Sequence, residues 1–492
     1  MMRISRVGLA VAAVLWLGAC EGTKAPVADA GPDPAIARVE AGLSGRVQVA
    51  GEPMEAWSLA ERMAFHNIPG VSIAVIRDGK IAWAKSYGVR ETGKAGAVDA
   101  DTIFLAGSIS KPVAGVAALR MVEQGRLALD APINDVLRSW KLPDNDFTRQ
   151  KPVTLRQIMS HGAGLTVHGF PGYAAGAPLP TIPQVLDGAA PANTAAVRVN
   201  KLPGESWRYS GGGYTIMQLA MSDVMSKDFP ALTQELVLGP AGMTRSSYEN
   251  PLPAGNRANA ATAHHRDGTV VPGQAHVYPE MAAAGLWTTS SDLAKLALSV
   301  VGAARGDAGA ILGPDMTKQM LTTQIGTYGL GFDLAEPGDG QVFSHGGSDE
   351  GFEAHLFAYT DGHGGAAIMT NGQNGGRLAQ EIRASLAAAY GWKYGAPEQR
   401  TALALTPERA AEFAGEYVVK APGEPDLTVT ISADGGKLWV EAVPFIEKQR
   451  FYVASDTQVF AMTSPMLSFR ADGNGKPQAI EFNRGVFAER KT

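Results

Sequence analysis

The residues best placed to do chemistry are Ser108 and Lys111, in the stretch Phe104-Leu-Ala-Gly-Ser-Ile-Ser-Lys-Pro-Val113. The apolar-periodic run Val113 to Val122 follows at once, which places Ser108 at or near a helix N-terminus and Lys111 one turn further on. Residues three apart share a helix face, so the amine reaches the hydroxyl. A serine hydroxyl is a poor nucleophile until something takes its proton, and a lysine does so where desolvation lowers its pKa. The free N–H groups of the first helical turn also offer donors to a developing oxyanion. A Ser-x-x-Lys spacing is a weak signal by itself, because a long chain repeats it by chance, usually as a capped and solvated helix start.

The elements that must position this pair sit in a chain of 492 residues, enough for two or three domains. Hydrophobic residues make up 45% and charged residues 18%, a globular and not a disordered composition. The net charge is −5 and no basic block is present, so the sequence carries no electrostatic footprint for nucleic acid. Arg3 and Arg6 precede an apolar run, Val7 to Leu17, that is too short to span a bilayer and reads as an export signal. The run ends at Leu17-Gly-Ala-Cys20, and Cys20 is the only cysteine, which excludes a disulfide within one chain. The arrangement resembles a bacterial lipoprotein signal, in which cleavage before the cysteine leaves a lipidated N-terminus; the alternative is an ordinary signal peptide cleaved nearby. The resemblance implies a signal over residues 1–19, a membrane contact through lipid on Cys20 alone, and, with Glu21 next, a periplasm-facing place on the outer membrane.

Residues 20–50 are rich in Ala, Pro, Gly and Asp and read as a flexible tether. An amphipathic helix over Met54 to His66 precedes two apolar runs, Val71 to Ile76 and Ile81 to Tyr87, whose Asp78-Gly79 turn marks a hairpin. Residues 131–245 read as mostly helical, with a long Pro- and Gly-rich loop over 169–194 that suits a lid or cleft wall. Ser291 to Val301 is a further helix. Strands return at Gln341 to Ser344, Glu353 to Tyr359 and Gly365 to Asn371, and Leu378, Ile382 and Leu386 mark a closing helix. Strands at both ends with helices between them imply one discontinuous sheet, its first hairpin paired with its last strands. Residues 396–406 read as a linker. Residues 407–492 hold only short strands and turns, an all-β module that is a small barrel or sandwich.

Three further stretches belong with Ser108 and Lys111: Pro203-Gly-Glu-Ser-Trp-Arg-Tyr-Ser-Gly-Gly-Gly-Tyr214, His345-Gly-Gly-Ser348 and Met159-Ser-His-Gly-Ala-Gly-Leu165. With Leu238 to Met243 and Ala284 to Leu293, they make the chain from about Trp57 to Tyr390 resemble the β-lactamase-related serine hydrolases: class C β-lactamases, DD-peptidases, D-aminopeptidases and related esterases. The resemblance implies an α/β fold, an α-β-α sandwich with an antiparallel sheet and a helical insert, over residues 51–395. It implies Ser108 as the acylated nucleophile, Lys111 as the partner for its proton and Tyr209 as a second acid/base. It assigns the oxyanion hole to the backbone N–H groups of Ser108 and Ser348, and substrate contacts to His345, Gly346, Gly347 and Ser210. No metal or organic cofactor is implied. His264-His265 has no carboxylate or third histidine at ligand spacing, and Gly211 to Gly213 is not followed by the Lys-Ser/Thr of a phosphate loop. No Gly-x-Ser-x-Gly elbow is present.

The sequence departs from the family pattern twice. Lys-Thr-Gly is replaced by His345-Gly-Gly, which removes a permanent cation, since an unperturbed imidazole is mostly neutral at pH 7. Tyr-x-Asn is replaced by Tyr209-Ser210-Gly211, which removes an amide. The first departure weakens recognition of a carboxylate beside the scissile bond and favours neutral esters or amides. The expected activity is therefore hydrolysis of an ester or amide in the cell envelope, most of all an ester. Cleavage of a D-amino-acid amide or cell-wall peptide, as by a D-alanyl-D-alanine carboxypeptidase, and of β-lactams are the alternatives, and a non-catalytic envelope binder is the competing reading. The sequence says nothing of oligomeric state.

Overall fold

The computed structural model describes residues 33–491 apart from 54–55, 421–425, 443–445, 464–465 and 483–485. The signal segment, Cys20 and residues up to 32 lie outside the described residues.

Helix α1 (Pro34–Ala41) and strand β1 (Val47–Val49) open the described chain. Helix α2 (Leu59–Phe65) starts at a Ser58/Glu61 capping box and leads into the hairpin of β2 (Gly70–Arg77) and β3 (Lys80–Gly88). Asp78 and Gly79 both take positive φ in its turn, the conformation that matches strand twist and that glycine adopts without strain. Strand β2 is buried along almost its whole length, whereas β3 forms the sheet's exposed edge. Then come β4 (Phe104–Leu105) and α3 (Ser110–Glu123). A largely helical insert follows; it contains α4 (Gly211–Met225) and α5 (Met281–Ala284) and ends at β5 (Trp287–Thr288), which pairs with β4. Helix α6 (Ser290–Arg305) precedes β6 (Asp333–Ala335), β7 (Val342–Asp349), β8 (Phe352–Tyr359), β9 (Gly364–Thr370) and α7 (Gly375–Tyr390).

The antiparallel sheet runs β3-β2-β9-β8-β7-β6, and β2 pairs with β9 in the register Val71 to Thr370, as the split pattern of strands requires. Alternate residues face opposite layers. Ala74, Ile76, Leu356 and Met369 join a core with α3 and α6. Val71, Ile73, Phe357 and Ile368 join a second core with α1, α2 and α7. The result is the helix-sheet-helix sandwich.

Two segments depart from the sequence reading. Residues 34–49, placed in a flexible tether, hold a helix (Pro34–Ala41) and a strand (Val47–Val49). Ala35, Val39 and Leu43 recur every fourth residue and are buried in the second core, a short stripe masked by the surrounding Pro, Gly and Asp. Within the proposed linker, β10 (Glu398–Arg400) pairs in parallel with β1. Its polar residues carry no strand alternation, so nothing in the sequence marks it.

Past helix α8 (Pro407–Phe413), eight antiparallel strands from Gly415–Val419 to Val486–Arg490 close into a barrel. The first and last pair directly, Tyr417 opposite Arg490, so the module is a barrel and not a sandwich. Phe413 of α8 joins the barrel core with Tyr417, Val429 and Phe469. The barrel seats on the β1–β10 ribbon: Val47 and Val49 pack with Tyr452, Phe460 and Met462, and the Val47 N–H donates to the Met462 carbonyl at 3.0 Å.

Candidate active site

Ser108 lies in a single tight turn, Gly107–Ile109, that runs directly into α3. Neighbouring groups fix this turn. Ser110 Oγ donates to the Gly107 carbonyl at 2.6 Å and accepts the Leu286 N–H at 3.0 Å, and the Tyr248 hydroxyl donates to the Ser110 carbonyl at 2.6 Å. Lys111 is 2% exposed, and its Nζ donates to Ser108 Oγ at 2.9 Å and to the Ala283 carbonyl at 2.7 Å. The carbonyl comes from α5 in the insert, so the amine is held between two layers. The sequence could not mark it, because a backbone acceptor has no residue type.

Strand β7 passes against the Ser108 turn at backbone distance. A Cβ added at Gly347 would stand 1.9 Å from the Ala106 carbonyl oxygen, and one at Gly107 would stand 2.5 Å from the Ser348 nitrogen. Gly107 also takes φ +53°, so both positions exclude a side chain, and the Ser348 amide is brought to the nucleophile's turn. The sequence reading set His345-Gly-Gly-Ser348 after a short strand; the four residues lie within β7, which extends to Asp349. Strand β6 pairs only with Val342 to Ser344, so the ladder on that side stops before His345.

His345 is buried, and its Nδ1 donates to the Gly346 carbonyl at 2.5 Å, which leaves Nε2 as an acceptor with no partner among the described residues. Burial, with the nearby Lys111 ammonium adding to it, pushes its pKa down to about 3. The imidazole is neutral at neutral pH.

Tyr209 faces the same cleft, with the Lys111 ammonium 4.9 Å from its ring centroid. Its ring lies 4.2 Å from that of His161 and 4.8 Å from that of His168. His161 is 1% exposed and takes φ +61°; its Nδ1 accepts the Ser210 N–H at 3.1 Å, so the proton sits on Nε2. Burial, then Lys111, holds its pKa well below the usual histidine value. Ser210, expected to meet substrate, does not line the cleft. Its Oγ caps α4 by accepting the Gly213 N–H at 3.1 Å and donates to the Thr166 carbonyl at 2.7 Å. Gly211 explains the missing amide: a Cβ there would stand 3.1 Å from both the His168 carbonyl and the Phe170 ring. The segment 168–170 occupies the space that a longer side chain would need.

Ser108, Lys111, Tyr209, His345 and Ser348 line one cleft of about 810 Å³, a size that admits a small-molecule substrate. His168, Gly169 and Phe170 form a wall, the part of the long 169–194 stretch that reaches the site; further along it is a helix, Ile182–Asp187. Trp207, 45% exposed, stands at the rim beside Tyr328. Two acids flank the Ser348 amide. Asp349 is buried, and burial raises its carboxyl well above the usual range. Glu353 accepts the Ser348 hydroxyl at 2.8 Å, and burial pushes it up to about 7. Away from the cleft, His264 is engaged on both nitrogens, accepting the Thr92 N–H at 3.1 Å and donating to the Asn371 carbonyl at 2.8 Å.

Comparison with known proteins places this arrangement among relatives. The beta-lactamase family model matches residues 58–390. An uncharacterized protein of Mycobacterium tuberculosis (strain CDC 1551 / Oshkosh), MT1414, is 26% identical over 281 residues, 52% of this chain and 68% of that protein. Among solved structures, the octameric penicillin-binding protein homologue from Pyrococcus abyssi superposes with a TM-score of 0.58 at 19% identity, covering 88% of this chain and 98% of that one. D-alanine carboxypeptidase AmpC from Burkholderia cenocepacia gives 0.50 at 20% identity, over 66% of this chain and 96% of that one. At these identities the two structures speak to the fold.

Proposed function

Because the chain belongs to the beta-lactamase family, we propose that it is a serine hydrolase that cleaves carboxylic esters through an acyl-enzyme on Ser108. The observation that carries the proposal is the Lys111–Ser108 contact of 2.9 Å at the floor of a cleft that Tyr209 also lines. Ser108 Oγ attacks the substrate carbonyl while Lys111, acting as the neutral amine, takes its proton and becomes the ammonium. The backbone N–H groups of Ser108 and Ser348 hold the oxyanion. Tyr209, next to the Lys111 ammonium, returns a proton to the leaving alcohol. Water then attacks the acyl carbonyl as the Tyr209 phenolate takes its proton, the Ser108 oxygen leaves and takes its proton back from the Lys111 ammonium, and the carboxylic acid departs. The scheme draws only on groups of this chain.

Neutral His345 favours esters. A β-lactam or a D-alanyl terminus carries a carboxylate close to the scissile bond, and His345 offers it no charge. Likeness to a D-alanine carboxypeptidase supports a second reading, hydrolysis of a D-amino-acid amide at the same serine. The lipoprotein-like signal ending at Cys20 supports a place in the cell envelope, facing the periplasm, where both substrate classes occur.

The test compares the full chain with Ser108→Ala on a short-chain 4-nitrophenyl ester, a chromogenic cephalosporin and a D-alanyl-D-alanine peptide, with intact mass for an acyl adduct. Ester turnover that disappears in the variant is the expected result. Dominant cephalosporin or peptide turnover overturns the substrate assignment, and neither turnover nor adduct with any probe returns the chain to the non-catalytic binder.

A further inference from the structure

The cleft does not end at the edge of β7. In the β7–β8 register, Gly346 lies opposite His355 and Ser348 opposite Glu353, so these four point to the sheet face covered by α7. His345, Gly347 and Asp349 point the other way, toward the Ser108 turn. Both sets line the same cleft, together with Gly376, Ala379, Gln380 and Arg383 of α7, and Tyr394. The cleft therefore wraps over the strand that carries the Ser348 amide and continues as a groove between sheet and helix. Gly346 leaves that passage open. It has no positive φ, and a Cβ there would meet only the Ala354 carbonyl, at 4.0 Å.

The far end of the groove holds a cation with no counter-ion among the described residues. Arg383 Nη1 donates to His355 Nε2 at 3.0 Å, and the guanidinium lies 5.1 Å from the Tyr394 ring centroid. Arg383 is in no ion pair among the described residues, and its buried Nε has no hydrogen-bond partner there. The nearest acid on the same helix, Glu381, two residues back, is taken by Arg62 at 2.6 Å. His355 adds no second positive charge: burial, with Arg383 beside it, pushes its pKa down to about 3.

Resting on the hydrolase reading above, we infer that the groove behind β7 is a subsite for a carboxylate on the distal end of the substrate, received by Arg383 between His355 and Tyr394. The guanidinium fork matches a carboxylate in two parallel hydrogen bonds. Glu353, two residues from His355 on the same face, makes the groove suit a single negative charge better than a phosphate dianion, while Arg46 adds positive potential near Arg383. The subsite also separates two recognition problems. Neutral His345 offers nothing to a carboxylate beside the scissile bond, whereas Arg383, on α7 and bonded to His355 of β8, the next strand beyond β7, serves one that a spacer carries over the strand. Half-esters of dicarboxylic acids have that form.

The experiment measures kcat/KM of the full chain, Arg383→Gln and Arg383→Lys on mono-4-nitrophenyl glutarate and adipate, each against its neutral isostere, 4-nitrophenyl pentanoate or hexanoate. The ratio of acidic to neutral ester is expected to fall about tenfold in Arg383→Gln, the size of one lost charge-assisted hydrogen bond, and to recover in part with Lys. An unchanged ratio, or an equal loss on both esters, overturns the subsite and leaves Arg383 as a packing partner of the 391–395 turn. If wild type cleaves no ester, the hydrolase reading fails separately. Calorimetric titration of Ser108→Ala with glutarate and with inorganic phosphate then decides the subsite: glutarate binding that Arg383→Gln abolishes supports it, and no binding or tighter phosphate binding overturns it.

Discussion

At the scale of single residues, charge state follows from burial more than from residue type. His345 replaces a lysine of the family pattern, and its site keeps it neutral, with a pKa pushed down to about 3. Its pKa is lower folded than unfolded, so the unfolded chain binds the extra proton. Stability from this group is complete above about pH 6.5 and declines as pH falls toward 3. His345→Gln removes that linkage. Between pH 7 and pH 4 the variant is therefore expected to lose less melting temperature than wild type, as followed by circular dichroism; equal losses would refute the neutral assignment. Ser108, Lys111, Tyr209 and His345 were legible because each is a reactive side chain inside a spaced motif. The Ala283 carbonyl was not legible, since a main-chain acceptor has no signature. Ser210 was misplaced for a related reason: a serine next to Tyr209 has the same letter whether its hydroxyl meets substrate or caps a helix, and the Thr166 and Gly213 contacts that decide it are tertiary.

At the scale of elements, the decisive feature is the contact between the Ser108 turn and β7. Two adjacent glycines there have different duties. Gly347 faces the Ala106 carbonyl, 1.9 Å from where a Cβ would stand, and Gly346 faces open groove. Gly347→Ala must push strand and turn apart at about 1–3 kcal/mol, with a lower melting temperature and loss of ester turnover. Gly346→Ala should melt with wild type. If thermal scans show the two variants equally stable, the close approach is not what holds the site. The pattern of strands and helices was readable because β2, β8 and β9 have long apolar or alternating runs. Strand β7 was truncated in the sequence reading because Gly346 and Gly347 break the alternation that marks a strand, and they do so where a neighbouring backbone comes close. The ribbon of β1 and β10 escaped notice because its strands are three residues long and Glu398–Arg400 is polar throughout, too short and uniform to show an alternation.

At the scale of the whole molecule, the ribbon ties the first described strand to the root of the barrel. Gly45 is a close-approach point of that joint: a Cβ there would stand 2.6 Å from the Met462 carbonyl. Gly45→Val is expected to loosen the barrel and split a single calorimetric transition into two, while a single transition at the wild-type temperature would show that the joint carries no stability. The barrel's strands were legible one by one, but its closure was not, because the pairing of Tyr417 with Arg490 joins the module's two ends and no local pattern announces it. The central sheet poses the same problem in time. Val71 in β2 pairs with Thr370 in β9, about 300 residues later, and ribosomes add about 5–20 residues each second. The apolar β2–β3 hairpin thus leaves the ribosome roughly 15–60 s before the strand that covers it. Through that interval the nascent chain holds an uncovered apolar strand and cannot complete its sheet, which makes it a client for whatever factor shields unfolded chains.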